Sequence, residues 1–116
     1  MEPENDEGNV EYKLRMTDTS SERIERLATQ MRYRCDEGQS ECIYHLGVED
    51  DGTINGIFQR DYDLTMTALN SAAAKNSYCV QELSRTRVDD ERYTYELLIR
   101  EKNDKSYIDL TIAVAG

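Results

Sequence analysis

Reactive side chains are sparse in this chain. His45 is its only histidine, and Cys42 stands three positions before it. A thiol beside an imidazole suggests a nucleophile with its base, but the two act together only within hydrogen-bond reach. The stretch "CIYHL" alternates like a strand, and on a strand residues three apart point to opposite faces. The spacing therefore predicts that Cys42 and His45 do not form a dyad. Cys35 and Cys79 complete an odd set of three cysteines without the closely spaced pairs of a zinc site, so reduced, structural thiols are expected.

Two ligand motifs are tested and fail. The acidic run "EDDG", Glu49 to Gly52, invites a calcium loop. With Gly52 as the central glycine, the first ligand falls on Gly47 and the closing glutamate position on Phe58, so the run is expected to be a tight turn. Neither G-x-x-x-x-G-K-[ST] nor G-x-G-x-x-G occurs in the 116 residues. No metal ligand set and no catalytic residue is assigned.

Arginines offer a different chemistry. Arg15 precedes the first helical pattern, Arg23 and Arg26 lie three apart within it, and Arg85, Arg87 and Arg92 cluster around a hairpin. Such groups suit RNA phosphates or an acidic partner, with Tyr33, Tyr93 and Tyr95 as bases' stacking partners. The plainer expectation is a solvated face with a Glu22–Arg26 pair, and Tyr93 and Tyr95 packing a sheet. The whole chain carries 24 acidic and 14 basic residues, a net charge of −10. That balance argues against the entire surface gripping a phosphate backbone and leaves only local basic faces.

Elements must position these groups. Residues 1–9 are polar and acidic and are expected as a disordered tail, unlike a basic-then-apolar signal peptide. No run is apolar enough for a membrane span, so a cytoplasmic protein is expected. Val10, Tyr12, Leu14 and Met16 alternate as one face of a first strand. "TDTSSERIERLATQMRYRCDEG" reads as a helix, with Thr19 and Glu22 as a capping box, a stripe of Ile24, Leu27, Ala28, Met31 and Cys35, and Gly38 as a left-handed stop. Cys42 to Val48, Asp51-Gly52 and Thr53 to Ile57 read as a hairpin. A second helix is expected over about Asp61–Lys75, followed by a hairpin, "SYCVQELSRTR" and "RYTYELLIRE", turning at Val88 to Glu91.

The pattern predicts an α+β fold of repeated helix–hairpin units, two helices on one face of a mainly antiparallel sheet. Residues 10–106 make one accessory domain. The closing "IDLTIAVAG" is apolar on both faces, as in a strand covered by helices on both sides of a parallel sheet.

"EGNVEYKLR", "TQMRYRCDEGQSECIYHLGVEDDGTINGI" and "DLTIAVAG", in that order, resemble the region upstream of the GTPase domain in the GTP-binding protein one/two family, elongation-factor-like translational GTPases of eukaryotes. The resemblance covers most of residues 7–116. It departs at "GIFQRDYD", where the family has an acidic start to the second helix, and it is loose over Asn70 to Arg87. It implies that residues 107–116 are the first strand of a truncated GTPase domain, with Gly116 opening an incomplete phosphate-binding loop. One glycine supplies too few backbone amides to hold phosphates, so no cofactor is expected in this fragment, with GTP and magnesium expected for the full-length parent. For that parent the resemblance implies ribosome surveillance, relief of stalled ribosomes and mRNA turnover. For this region it implies a non-catalytic binding domain whose partners are its own GTPase domain, the ribosome, tRNA or an mRNA-decay factor, with no small-molecule substrate. "HLGVEDDGTINGI" is also similar to the hairpin of Schlafen/AlbA-like domains, which suggests a nucleic-acid-binding module as the alternative.

Overall fold

The computed structural model describes residues 1–102. The expected final strand, 107–116, and with it Gly116, lies outside the described residues. The elements are β1 (Val10–Lys13), α1 (Ser21–Glu37), β2 (Glu41–Leu46), β3 (Ile57–Phe58), α2 (Gln59–Lys75), β4 (Tyr78–Arg87) and β5 (Arg92–Glu101). The fold is α+β, with two helices packed on a mixed five-stranded sheet.

β5 is the organising strand. One edge pairs along most of its length with β4, as the expected second hairpin requires. Its other edge is shared: Tyr95–Arg100 pair with β2, and Arg92–Tyr93 pair with β3. β1 adds to β2 in parallel, the one parallel pair named among these strands, with α1 as the crossover. Alternation decides the faces. Cys42, Tyr44 and Leu46 of β2 and Tyr95, Leu97 and Ile99 of β5 turn toward the helices. They meet Ile24, Leu27, Ala28, Met31 and Cys35 of α1, the stripe that the helical spacing predicts, and Ala68, Leu69, Ala72 and Ala73 of α2. Alanines on α2 let it approach closely, and the Asn76 side-chain amide donates to Ala28 O at 2.8 Å to tie the two helices.

Four local expectations are corrected. The cap of α1 is Ser20, not Thr19; its Oγ accepts from the Arg23 amide, while its own amide donates to Asp18. Gly38 does cap the helix, but with φ −118°; the left-handed residues are the next two, Gln39 and Ser40. A Cβ on Gly38 would lie 2.1 Å from Glu41 O, so close approach demands the glycine, not its dihedral angle. β1 stops at Lys13, and its helix-facing residue is Glu11, while Tyr12 turns to the far face beside His45.

The fourth concerns the first hairpin. Its tight turn forms, with Gly52 N donating to Glu49 O and Thr53 N to Asp51 Oδ1. The return, however, pairs through a single bridge, Val48 with Ile54. Gly47 and Gly56 then cross backbone to backbone, where a Cβ on Gly47 would meet Gly56 Cα at 2.9 Å. Past that crossing the chain joins β5 and not β2, because β1 already occupies the other edge of β2.

Residues 1–9, expected as a loose acidic tail, are laid against the domain. The terminal amine donates to Gly52 O, Glu4 N to Asp50 O, and the Tyr12 hydroxyl to Glu2 O. Arg34 of α1 fastens the segment from the inside by donating to Asn5 O, Glu7 O and Gly8 O. An acidic composition predicts solvation when no cation waits for it; here a buried guanidinium does.

Candidate functional site

The nominal Cys42–His45 pair is separated as its spacing predicts. Cys42 is in the core, whereas His45 is half-buried on the opposite face, its ring edge-on to Tyr12 with centroids 5.7 Å apart. Burial depresses the His45 pKa below its ordinary value of 6.5, against the opposing pull of Glu96 across the strand pair. A depressed pKa means that the unfolded chain binds the proton more readily, so stability falls as pH drops through about 6.5. Between pH 7 and pH 5 the wild-type chain should therefore lose more stability in urea than His45→Gln does. Equal losses would show that the imidazole is not desolvated.

Cys42 has a different neighbour, which sequence spacing did not disclose. Cys35 at the end of α1 and Cys42 on β2 place their Sγ atoms 3.2 Å apart, both fully buried free thiols. Contact with Cys35 and burial both push the Cys42 thiol well above its ordinary pKa. Both thiols are shut off from solvent as a packed pair between α1 and β2. In a native-state titration with an aromatic disulfide reagent, half-exposed Cys79 should react first. The two core thiols should follow only at the rate of unfolding. Rapid modification of all three cysteines would contradict the packing.

The arginine clusters are re-sorted by the fold. Arg85 makes a two-pronged bond to Glu82, at 2.8 and 2.9 Å, and lies over the Tyr62 and Tyr95 rings, themselves stacked with centroids 3.9 Å apart. Glu82 holds the Arg85 pKa above the usual guanidinium value. Arg87 pairs with Asp90 at 2.6 Å, and Arg92 with Asp89 at 2.7 Å, which draws the Asp89 pKa down to about 2. All three hairpin arginines are thus neutralised within the chain, and Tyr95 is buried. Arg23 and Arg26 remain on α1, half-exposed and exposed, and the expected Glu22–Arg26 pair is not among the ion pairs of the described residues. Tyr33 is exposed, its hydroxyl donating to Asp6 O.

Arg15 is brought together with a residue that sequence reasoning missed. It lines a surface hollow of about 700 Å³ whose walls come from the residue after β1 (Leu14), the stretch before β3 (Asn55, Gly56), β3 itself, the first turns of α2 (Arg60, Asp61, Leu64) and Arg92. Phe58 and Leu64 are about 40% exposed there, at 39% and 43%. The Arg92 guanidinium stands 5.9 Å from the Phe58 ring centroid. A second hollow of about 550 Å³, lined by Phe58, Gln59, Arg60 and Glu91, shares Phe58 and Arg60 with the first. Gly56 shapes this region: with φ +73°, a Cβ there would meet Val88 at 2.9 Å and Arg92 Cβ at 3.1 Å. Phe58 occupies the N-cap of α2 and makes no side-chain hydrogen bond, so the helix begins without a polar cap. The signal available in sequence was "GIFQRDYD" itself, an aromatic where a capping Ser or Asp is usual.

No family model matches the chain, and no solved structure matches it. Among curated proteins, GTP-binding protein 2 of Mus musculus and of Homo sapiens are each 35% identical over 119 residues, covering 98% of this chain. The chain is a relative of the GTP-binding protein 1/2 family. GTP-binding protein 1 of Xenopus laevis is 28% identical over 111 residues, 93% of the chain. The chain spans about one fifth of the length of the GTP-binding protein 2 relatives, 20% in each case. The family match therefore supports an N-terminal region of such a protein and bears on no more than that part. Among the described residues, no helix is long and apolar enough to cross a membrane, and no cluster of His, Cys, Asp and Glu is arranged to hold a metal.

Proposed function

We propose that this chain is a non-catalytic N-terminal accessory domain of an elongation-factor-like translational GTPase. The observation that carries the reading is the 35% identity to GTP-binding protein 2 sustained over 98% of the chain. The separation of Cys42 from His45 and the burial of the thiols fit a domain that binds and does not react.

On this reading the full-length protein acts in the cytoplasm in ribosome surveillance, relief of stalled ribosomes and mRNA turnover. The domain contacts its own GTPase domain, the ribosome, tRNA or a decay factor. Gly116 then opens the phosphate-binding loop. On this reading GTP and magnesium are not held by residues 1–102, where neither α1 nor α2 is entered from a glycine-rich loop carrying lysine. Guanine nucleotide chemistry belongs to the full-length protein's GTPase domain.

The nucleic-acid alternative draws less support, because Glu82, Asp89 and Asp90 already occupy three of its arginines. The test compares the full-length protein with a form lacking residues 1–102. Both should bind labelled GTP alike, while the shortened form should lose co-sedimentation with ribosomes. Loss of GTP binding with retained ribosome association would refute the reading.

A further inference from the structure

We infer that the paired hollows around Phe58 and Arg60 are a docking site for an acidic peptide segment carrying one aromatic or branched aliphatic anchor. This goes beyond the accessory-domain reading and stands on the geometry of this chain alone.

Charge comes first. Carboxylates outnumber cations across this chain, 24 to 14, yet the two hollows together gather three guanidiniums, Arg15, Arg60 and Arg92, against the two carboxylates of Asp61 and Glu91. Asp89 offsets Arg92, but Arg15 and Arg60 form no ion pair among the described residues. Two unpaired cations on an acidic protein set a local field that favours a negative partner and repels a basic one.

Apolar surface comes second. Phe58 stands between the two hollows with Ile57 and Leu64 in the wall of the larger, and exposed Val88 lies within van der Waals reach of the Gly56 backbone. Exposed apolar side chains scattered singly need no explanation, but an aromatic rimmed by guanidiniums has the anatomy of a hot spot, an apolar centre with a charged rim. Arg92, bonded to Asp89, stands 5.9 Å over the Phe58 ring. The first turn of α2, without a side-chain cap at Phe58, adds the positive end of a helix dipole to the same wall.

An RNA strand would satisfy the arginines but leave exposed Leu64 against water, and its backbone would face a chain of net charge −10. An acidic peptide with one apolar anchor satisfies both halves of the site. Its anchor packs on Phe58 and Leu64 while flanking carboxylates meet Arg60 and Arg15 in charge-assisted bonds.

The experiment uses the 116-residue chain as bait for displayed random short peptides, followed by fluorescence anisotropy with the best labelled peptide. Enriched peptides should place Asp or Glu on either side of Phe, Leu or Ile. Arg60→Glu should weaken binding roughly tenfold or more, and Leu64→Ser by a smaller factor, with Arg23→Glu on α1 leaving it unchanged. Thermal melts monitored by circular dichroism establish that each variant is folded. The inference is overturned if the enriched peptides carry no excess of acidic residues, if Arg60→Glu and Leu64→Ser bind them as wild type does, or if a single-stranded RNA binds at the same site more tightly than any peptide.

Discussion

Arg34→Ala should destabilise the domain by about 3 kcal/mol and free its N-terminus, because it leaves the buried Glu11 carboxylate offset only by Lys13, 3.4 Å from its other oxygen. Both side chains are 4% exposed, and Arg34 Nε donates to Glu11 Oε1 at 2.8 Å. Burial opposes the guanidinium's charge, yet Glu11 outweighs it and holds the Arg34 pKa above the ordinary value. Three of the four remaining N–H groups are spent on carbonyls, at 2.8 to 3.1 Å, and each of those carbonyls loses its partner in the variant. Glu4, whose carboxylate accepts from Tyr12 N and lies 3.9 Å from Arg34, loses a compensating charge as well. Urea unfolding should report the loss, and limited proteolysis should cut within residues 1–9 while the rest of the domain persists. Because an ion pair is costly to half-remove and cheap to replace whole, Arg34→Met with Glu11→Leu should recover much of the stability lost in the single variant. A single-variant loss below about 1 kcal/mol, with the N-terminus still protected, would show that the pair is not the clasp argued from its geometry.

Leu97→Ala is expected to cost about 2–5 kcal/mol, enough to consume much of a small domain's stability. Leu97 lies in the middle of β5, fully buried, on the strand that pairs with β2, β3 and β4. Its side chain faces the helices, so truncation opens a cavity between layers. β5 is held on both edges and cannot shift to fill it. Leu83→Ala provides the contrast on β4: at 46% exposure it should change stability by no more than about 0.5 kcal/mol. Chemical denaturation at matched protein concentration decides the matter. If the two substitutions cost the same, the core is not centred on β5.

How much of this was legible beforehand depends on the range of the interaction involved. Ile24, Leu27, Ala28, Met31 and Cys35 declare α1 and its buried stripe because a helix's periodicity is a property of neighbours in sequence. The β4–β5 hairpin is equally local, and its turn falls where expected, at 88–91. The end of the first hairpin was not legible. Thr53 to Ile57 carry adequate strand chemistry, but whether they pair with β2 or β5 depends on which edge is free, and β1 decides that from far away in the chain. For Arg34 the signal was present and ambiguous: it lies three residues beyond Met31, on the buried stripe, where an arginine is tolerated only if an anion meets it.

Charge shows the division most sharply. Counts and near-neighbour spacing determined that the chain as a whole is acidic, that Cys42 and His45 face apart, and that α1 and the second hairpin would form. Those are counts and near-neighbour periodicities, which no tertiary arrangement alters. Which arginines are spent and which remain available was decided only by folding. Glu82, Asp89 and Asp90 neutralise one cluster from three positions away along the same hairpin, whereas the Gly47–Gly56 crossing carries Phe58 and Arg60 to the same hollow as Arg15. The physical reason is distance: an electrostatic or packing partner is chosen by angstroms in space, and residues 15, 60 and 92 are neighbours only once β3 has found the end of β5.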